Sequence, residues 1–184
     1  PVRYFVMGEN RWHEAEAWPP AGYESTSFYL HSSGRANTRG GDGQLNRTAP
    51  SVEEPVDRFR ADPADPVPAC PVTDQRPLNA ATWAPVNQQT IEDRVDVLCY
   101  STEPLTEPLT FAGNAHVELF VAADTPDADW VVKLIDVHPD GAAYNLAVGI
   151  LRGRFRESEL EPKPLTPNET CQITVDLGPI AAQI

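Results

Sequence analysis

Residues that could supply a nucleophile are few in this chain. A serine hydrolase of the α/β type places its serine on a strained strand-to-helix turn, usually within Gly-x-Ser-x-Gly. The chain contains no such pentapeptide. The nearest segment is His31-Ser32-Ser33-Gly34, where Ser-Ser-Gly is typical of a loop and adjacent residues need not pair in space. We therefore predict no catalytic residue.

Metal ligands are equally sparse. The four histidines, His13, His31, His116 and His138, are widely separated and form neither an HxH nor an HExxH pattern. Asp136-Val137-His138-Pro139-Asp140 combines ligand types, but it is better explained as a strand end and a turn. A final acidic set could offer Ca²⁺ its oxygen ligands, although a solvated loop is the preferred interpretation: Asp124, Asp127 and Asp129. We predict no metal and no cofactor, since the Gly-rich stretch 34–43 also lacks the spacing of a phosphate-binding loop.

Four tryptophans are the other residues with functional potential. Trp130 begins a predicted strand and is expected in the core, whereas Trp12, Trp18 and Trp83 lie in predicted loops. Loop tryptophans favour contact with another domain, where Trp is enriched. Covering the core and stacking on a sugar are the alternatives.

The three cysteines are Cys70, Cys99 and Cys171, an odd number at wide spacing that argues against a disulfide framework. A reducing, cytoplasmic location is the simpler expectation, with secretion and one disulfide as the alternative. The two glycosylation sequons, Asn46-Arg47-Thr48 and Asn168-Glu169-Thr170, matter only for a chain secreted by a glycosylating host.

Short apolar runs separated by 19 prolines and 11 glycines must position these residues, and this pattern predicts many short strands. A hairpin over 130–155 turns at His138-Pro139-Asp140-Gly141, and Gly149 and Gly153 are candidate bulges. The other predicted strands are Val2–Met7, Ser27–His31, Val95–Tyr100, His116–Ala122 and Ile173–Leu177. The only helical candidate is the short polar run 86–93. The Pro-rich stretch from about 48 to 95 predicts a long extended connection lying against another surface.

Bulk properties limit the partners. The net charge is −13, which opposes binding to nucleic-acid phosphates and to anionic membranes. No apolar run approaches the roughly 20 residues of a membrane span. The 184 residues suit a single domain with its own core. The chain opens without a signal peptide. We also expect a fragment of a longer protein, since the chain begins at Pro1 and not at an initiator Met.

Several segments together resemble the C-terminal domain of the X-Pro dipeptidyl-peptidase and cocaine esterase family. The likeness runs from residue 1 to about 177 and rests on motifs in the family's order. These motifs are FVMGENRW at 5–12 followed by WPP at 18–20, FYL at 28–30, DPADPVP at 62–68, IEDRVDVLCYS at 91–101, DADW at 127–130, LIDVHPDG at 134–141 and GILR at 149–152.

The resemblance implies an all-β jelly-roll β-sandwich, of the galactose-binding-domain-like type, that follows an α/β-hydrolase domain. The Ser-His-Asp triad of the family lies in those earlier domains, so no catalytic residue is carried over. This chain has Asn87-Gln88 where the family usually has Asp-Gln. It also lacks the family's later Gly-His-x-(I/L)-Arg strand, so we expect a domain cut short at Ile184.

Two classes of function remain at this stage. The first is a non-catalytic accessory domain of a serine hydrolase, partnered with the catalytic domain through Trp12, Trp18 and Trp83. The alternative is a free-standing carbohydrate-binding or protein-interaction β-sandwich, which could form a homo-oligomer. Neither nucleic acid nor membrane is an expected partner.

Overall fold

The computed structural model describes residues 1–69 and 86–184. Trp83 and Cys70, with part of the predicted 48–95 connection, lie outside the described residues. The described residues contain eight strands: β1 Val2–Val6, β2 Arg11–Ala15, β3 Tyr29–His31, β4 Gln44–Asn46, β5 Thr110–Val121, β6 Asp129–Val137, β7 Ala143–Arg152 and β8 Cys171–Gln183. The one α-helix there, α1, is Gln89–Glu92, and a 3-10 turn spans Gly153–Phe155. The prediction of an all-β fold class is confirmed.

Contacts divide the chain into two compact units. Unit 1 comprises Pro1–Tyr23, Leu109–Ile135 and Asn145–Ile184, and unit 2 comprises Glu24–Pro108 and Asp136–Tyr144. The single-domain organisation and the jelly-roll type, galactose-binding-domain-like, stay predictions. In the described part of the chain no helix has the length and apolar character needed to cross a membrane.

Unit 1 is organised around the longest strand pair. Strand β5 pairs antiparallel with β8 from Thr110↔Gln183 to Val121↔Cys171, and the register shifts between Ala115 and His116. Alternation along β8 buries Ile173 and Val175 on one face. Strand β1 pairs with β2 and places Val6 in a core cluster with Ala112 and Ala181.

Two strand predictions proved too short, because the apolar alternation in the sequence covers only part of each strand. Strand β5 begins six residues before the predicted His116, and β8 extends to Gln183. The additional parts contain small residues such as Ala112, Gly113 and Ala181. These are weak strand formers, and pairing with the neighbouring strand holds them extended.

The predicted hairpin is confirmed, since β6 and β7 pair. Its turn is closed by the Gly141 amide, which donates to the His138 carbonyl at 2.8 Å, and Gly141 has φ +85°. Gly149 serves a close approach, because a Cβ there would lie 2.2 Å from the Asp176 carbonyl oxygen. Among the strand pairs with a described register, a shift falls in β5, between Ala115 and His116. Bulges at Gly149 and Gly153 stay a prediction.

Unit 2 has less regular structure. Strands β3 and β4 pair antiparallel, and residues 48–69 contain neither strand nor helix. The predicted strand Val95–Tyr100 was wrong: only Leu98 forms a bridge, with Asn37. Its amides and carbonyls bond to loop residues, as Cys99 does to the Ala36 carbonyl. The apolar residues of this run pack against loops and do not form a β-ladder.

Candidate functional site

The β1–β2 hairpin presents two different faces in unit 1. Opposite residues in its antiparallel register are Phe5↔Trp12 and Arg3↔Glu14, and they share the outer face. We call these four residues the hairpin face. The inner face carries Val6 into the core. Strand alternation therefore separates an exposed aromatic pair from the apolar side that stabilises the unit.

Aromatic contacts order the hairpin face. The Trp12 side chain is 60% exposed, and its ring meets Phe5 edge-on with centroids 5.4 Å apart. The Arg3 guanidinium lies 4.9 Å from the Trp12 ring centroid, a cation–π distance. Phe5 is itself 38% exposed. A large aromatic surface is thus held in a fixed orientation at the protein surface.

Trp18 has a different environment. Its indole Nε1 donates to Asn114 Oδ1 at 2.8 Å, and its ring packs edge-on against Tyr4 beside the core cluster. It also lines an open groove of about 390 Å³. The other residues of the groove are Val2, Tyr4, Phe5, Pro179, Ile180 and Ala181. Trp18 is therefore both core cover and groove wall. Trp12, predicted in a loop, lies instead in strand β2 and is exposed.

The His31-Ser32 pair does not form a nucleophile. Ser32 Oγ donates to Asp57 Oδ2 at 2.6 Å, and the His31 ring contacts Glu54 and the Thr48 carbonyl. Asp57 also accepts the Ala36 amide at 2.8 Å. Both side chains serve to hold the 48–57 segment against strand β3, which fits the loop interpretation.

In the acidic loop of unit 1, Asp127 forms ion pairs with two arginines. Asp127 accepts Arg152 Nε at 2.6 Å and both the side chain and the amide of Arg154. Burial opposes ionisation, but the hydrogen bonds from Arg154 and Arg152 dominate and lower the pKa of Asp127 to about 2. Its carboxylate oxygens are therefore engaged in ion pairs, which argues against the Ca²⁺ alternative.

The turn at 136–140 likewise satisfies its own polar groups. His138 Nε2 lies 3.2 Å from Asp136 Oδ2, and the His138 ring meets Tyr144 edge-on. Asp140 Oδ1 accepts the Ala142 amide. Across residues 1–69 and 86–184, no group of three or more His, Cys, Asp or Glu could hold a metal ion.

The thiols that are described are free. Cys99 and Cys171 are both half-buried. Desolvation, together with the charges of Glu92 and Asp93, raises the pKa of Cys99 to about 11. A thiol in that environment stays protonated and is a poor nucleophile. Cys99 therefore behaves as a small packing residue, and it lies outside any strand.

An arginine joins two of the sequence motifs in unit 2, and the sequence analysis did not single it out. Arg94 donates from Nε and Nη2 to Asp96, each at 2.8 Å, and from Nη2 to the Asp65 carbonyl at 2.8 Å. The hydrogen bonds that Arg94 donates to Asp96 and Asp65 raise the pKa of Arg94, and the bond to Asp96 lowers the pKa of Asp96. Arg94 and Asp65 are 29 positions apart, so no local sequence pattern could have indicated their contact.

Comparison with known proteins shows which family this chain is similar to. Residues 1–184 match the family model described as the X-Pro dipeptidyl-peptidase C-terminal non-catalytic domain. The cocaine esterase of Rhodococcus sp. (strain MB1 Bresler) is 42% identical over 176 residues, which cover 96% of this chain and 30% of that protein.

Solved structures agree with this match. An α-amino acid ester hydrolase superimposes with a TM-score of 0.81 at 34% identity, covering 100% of this chain and 31% of that one. An aminopeptidase from a marine sediment Thaumarchaeota archaeon gives a TM-score of 0.78 at 31% identity, covering 99% and 30%. The chain thus spans about 30% of the length of these relatives. It belongs to the family of X-Pro dipeptidyl-peptidase C-terminal non-catalytic domains.

Proposed function

We propose that this chain supports the catalytic domain of a serine hydrolase and helps to shape its substrate pocket, with the hairpin face as a contact surface. The parent enzyme would be an acyl esterase or an X-Pro dipeptidyl-peptidase. The relatives that support this proposal are about three times as long as this chain, so most of each relative lies outside the matched part. Acyl transfer would take place in that other part.

The observation that supports this surface is the exposed, ordered pair of Phe5 and Trp12. Trp and Arg are enriched among residues that dominate binding energy, and a preordered aromatic loses little entropy on docking. The apolar groove beside Trp18 could receive a side chain from the same partner. Trp83 was proposed for this interface as well, but it lies outside the described residues.

Sugar binding is less well supported by the same residues. A sugar platform needs an open aromatic face, yet Arg3 lies over the Trp12 ring and Phe5 contacts its edge. A protein partner can instead supply an acid to Arg3 and an apolar surface to Phe5. Half-buried free thiols also support a reducing, cytoplasmic location as part of this proposal.

The experiment is Trp12→Ser in the parent hydrolase. We expect a lower unfolding temperature and reduced ester or peptide turnover, because truncating a central aromatic at an interface costs about 2 kcal/mol or more. The control is Leu160→Ser, which removes an apolar side chain that is 90% exposed. In the isolated chain, Trp12→Ser should change the free energy of unfolding by less than about 1 kcal/mol.

Equal effects of the two variants in the parent enzyme would contradict the proposed interface. Two measurements on the isolated chain test the alternatives. Saturable tryptophan quenching by a sugar panel, lost in Trp12→Ser, would favour a carbohydrate-binding module. A stable dimer in light scattering that dissociates in Trp12→Ser would favour an interaction domain.

A further inference from the structure

His31 is held between two hydrogen-bond acceptors in unit 2. It is the last residue of β3, and its side chain is 16% exposed. Nδ1 lies 2.6 Å from Glu54 Oε1, and Nε2 lies 2.9 Å from the Thr48 carbonyl oxygen. The proposed function does not involve His31.

The two acceptors determine the proton count of the ring. A carbonyl oxygen only accepts, so Nε2 must carry a proton, and an ionised carboxylate likewise requires a proton on Nδ1. Only the imidazolium satisfies both contacts while Glu54 is ionised. Loss of either proton turns one nitrogen lone pair toward an acceptor oxygen, so one of the two bonds must break.

These bonds attach a segment without regular structure to a strand. Thr48 and Glu54 both belong to the segment 48–57, and Glu54 Oε2 also accepts the Ser32 amide at 3.2 Å. The far end of the segment has a separate anchor at Asp57. That carboxylate accepts the Ala36 amide at 2.8 Å and the Tyr100 hydroxyl at 2.7 Å.

Among the described residues, one carboxylate contacts the His31 ring directly. It belongs to Glu54, and the nearby Asn46 side chain also raises the pKa of His31. Asp57 accepts a hydrogen bond from Ser32 Oγ, next to His31 in the chain. The Arg47 guanidinium lies over the Phe28 ring, 5.2 Å from its centroid. The hydrogen bond to Glu54 is the main factor that raises the pKa of His31, and the same bond lowers the pKa of Glu54.

We propose that His31, Glu54 and the Thr48 carbonyl form a pH-sensitive latch that fastens the 48–57 segment to β3 while the imidazole is protonated. When the imidazole loses its proton, one of the two bonds breaks and the 48–54 end of the segment loosens. The Asp57 end stays attached, because its donors do not include a histidine. This latch is independent of the hairpin face in unit 1.

The direction of the pH effect follows from linkage. The pKa of His31 is higher in the folded chain than in the unfolded chain. The stabilisation is therefore complete below the unfolded value of about 6.5, and it disappears as the pH rises through the folded value. The latch is closed in mildly acidic solution and open in alkaline solution.

The first test needs no variant. Nuclear magnetic resonance titration should show His31 deprotonating at a higher pH in the folded full chain than in the urea-unfolded chain. Amide exchange, expressed as protection factors, should show Ser32 losing about tenfold in protection relative to Ala36 between pH 6 and 9. A tenfold loss of protection corresponds to the loss of about one charge-assisted hydrogen bond. The Ala36 amide is the internal reference, because it donates to Asp57 and not to Glu54.

Glu54→Gln provides the decisive variant. A glutamine amide can donate to a neutral Nδ1 and still accept the Ser32 amide, so the latch should stay closed with an uncharged ring. The ratio of Ser32 to Ala36 protection should then be constant from pH 6 to 9. The matched control is His13→Gln, which removes a histidine paired with Glu9 at 2.9 Å in unit 1 and should leave the ratio as in the unchanged chain.

Three results would overturn the latch. One is His31 deprotonating at the same pH in the folded chain and in the urea-unfolded chain. Another is a Ser32 to Ala36 ratio that does not change with pH in the unchanged chain. The third is a Glu54→Gln variant that retains the same pH midpoint.

Discussion

Arginine side chains stabilise irregular segments in each unit, and Arg94 is the clearest case. Its guanidinium donates to the Asp96 carboxylate and to both the carbonyl and the side chain of Asp65. The Arg94 side chain is 24% exposed and that of Asp96 only 10%. Water therefore screens this pair less than it would a surface ion pair, which is typically worth under about 1 kcal/mol.

Replacing Arg94 should destabilise the fold. Arg94→Ala leaves the buried Asp96 carboxylate without its main donor, so we expect a loss of about 2 kcal/mol in the free energy of unfolding, measured by urea denaturation. The control is Arg39→Ala, whose partner Asp93 is about as exposed as Arg39 itself. That variant should lose less than about 1 kcal/mol, and similar losses in the two variants would contradict the argument.

Asp127 should contribute to acid sensitivity. Its pKa is about 2 in the folded chain, against about 3.9 for an unperturbed aspartate. The ion pairs with Arg152 and Arg154 therefore stabilise the folded chain above about pH 4, and that contribution declines as the pH falls toward 2.

Urea midpoints between pH 5 and 2 test this expectation. The stability advantage of the unchanged chain over Asp127→Asn should shrink across that range as Asp127 becomes protonated. Asp124→Asn alters an exposed residue of the same loop and is the control, with a small difference at every pH. An Asp127→Asn deficit that stays constant down to pH 2 would refute the assignment.

At the scale of elements, the close approach of β7 to β8 depends on one glycine. A Cβ on Gly149 would lie 2.2 Å from the Asp176 carbonyl oxygen and 2.9 Å from Val175 Cγ1. The nearest obstacle is backbone, so a rotamer change cannot relieve the overlap. Separating the strands would in turn disturb Val175, which is fully buried.

Gly149→Ala should therefore cost about 2–3 kcal/mol, the upper part of the usual range for overpacking. Gly40→Ala is the matched control, because its Cβ would meet only Thr38 Oγ1, at 3.7 Å, and its φ is not positive. Chemical denaturation of both variants gives the comparison. A Gly149→Ala chain as stable as the Gly40→Ala chain would show that β7 does not need this close approach.

Strands were predicted correctly where the sequence contained a clear apolar run ended by a turn or a glycine. The β6–β7 hairpin had apolar runs on both sides of a Pro-Asp-Gly turn, and β1 was an apolar run. Strands β2 and β4 were missed, because they are short and polar and exist through pairing with β1 and β3. Val95–Tyr100 had strand composition but no neighbouring ladder, which is a tertiary property.

The candidate site was partly accessible from sequence for similar reasons. Tryptophan content and loop position indicated Trp12, and its 60% exposure agrees with an accessible surface. Trp18 came from the same pattern, yet the fold places it beside the core cluster. Sequence spacing cannot distinguish these environments. The His31–Glu54 and Arg94–Asp65 pairs join residues 23 and 29 positions apart, which no local pattern specifies.

At the scale of the whole chain, the family match and the side-chain chemistry lead to the same expectation about catalysis. The only His-Ser neighbours, His31 and Ser32, are occupied by Glu54, the Thr48 carbonyl and Asp57. A protonated histidine cannot act as a general base, and a serine hydroxyl bonded to a carboxylate is not activated toward an ester by a neighbouring imidazole.

We therefore expect the isolated chain to hydrolyse p-nitrophenyl esters no faster than the Ser32→Ala variant, and to resist labelling by a serine-directed phosphonate. The Ser32→Ala variant is a suitable reference because it removes the single serine whose hydroxyl contacts Asp57. Rates are measured at pH 9, the most alkaline point of the latch titration, where any general base would be most available. Saturable turnover that the phosphonate blocks and Ser32→Ala abolishes would place a nucleophile in this chain, and acyl transfer would then not be confined to the remainder of the parent enzyme.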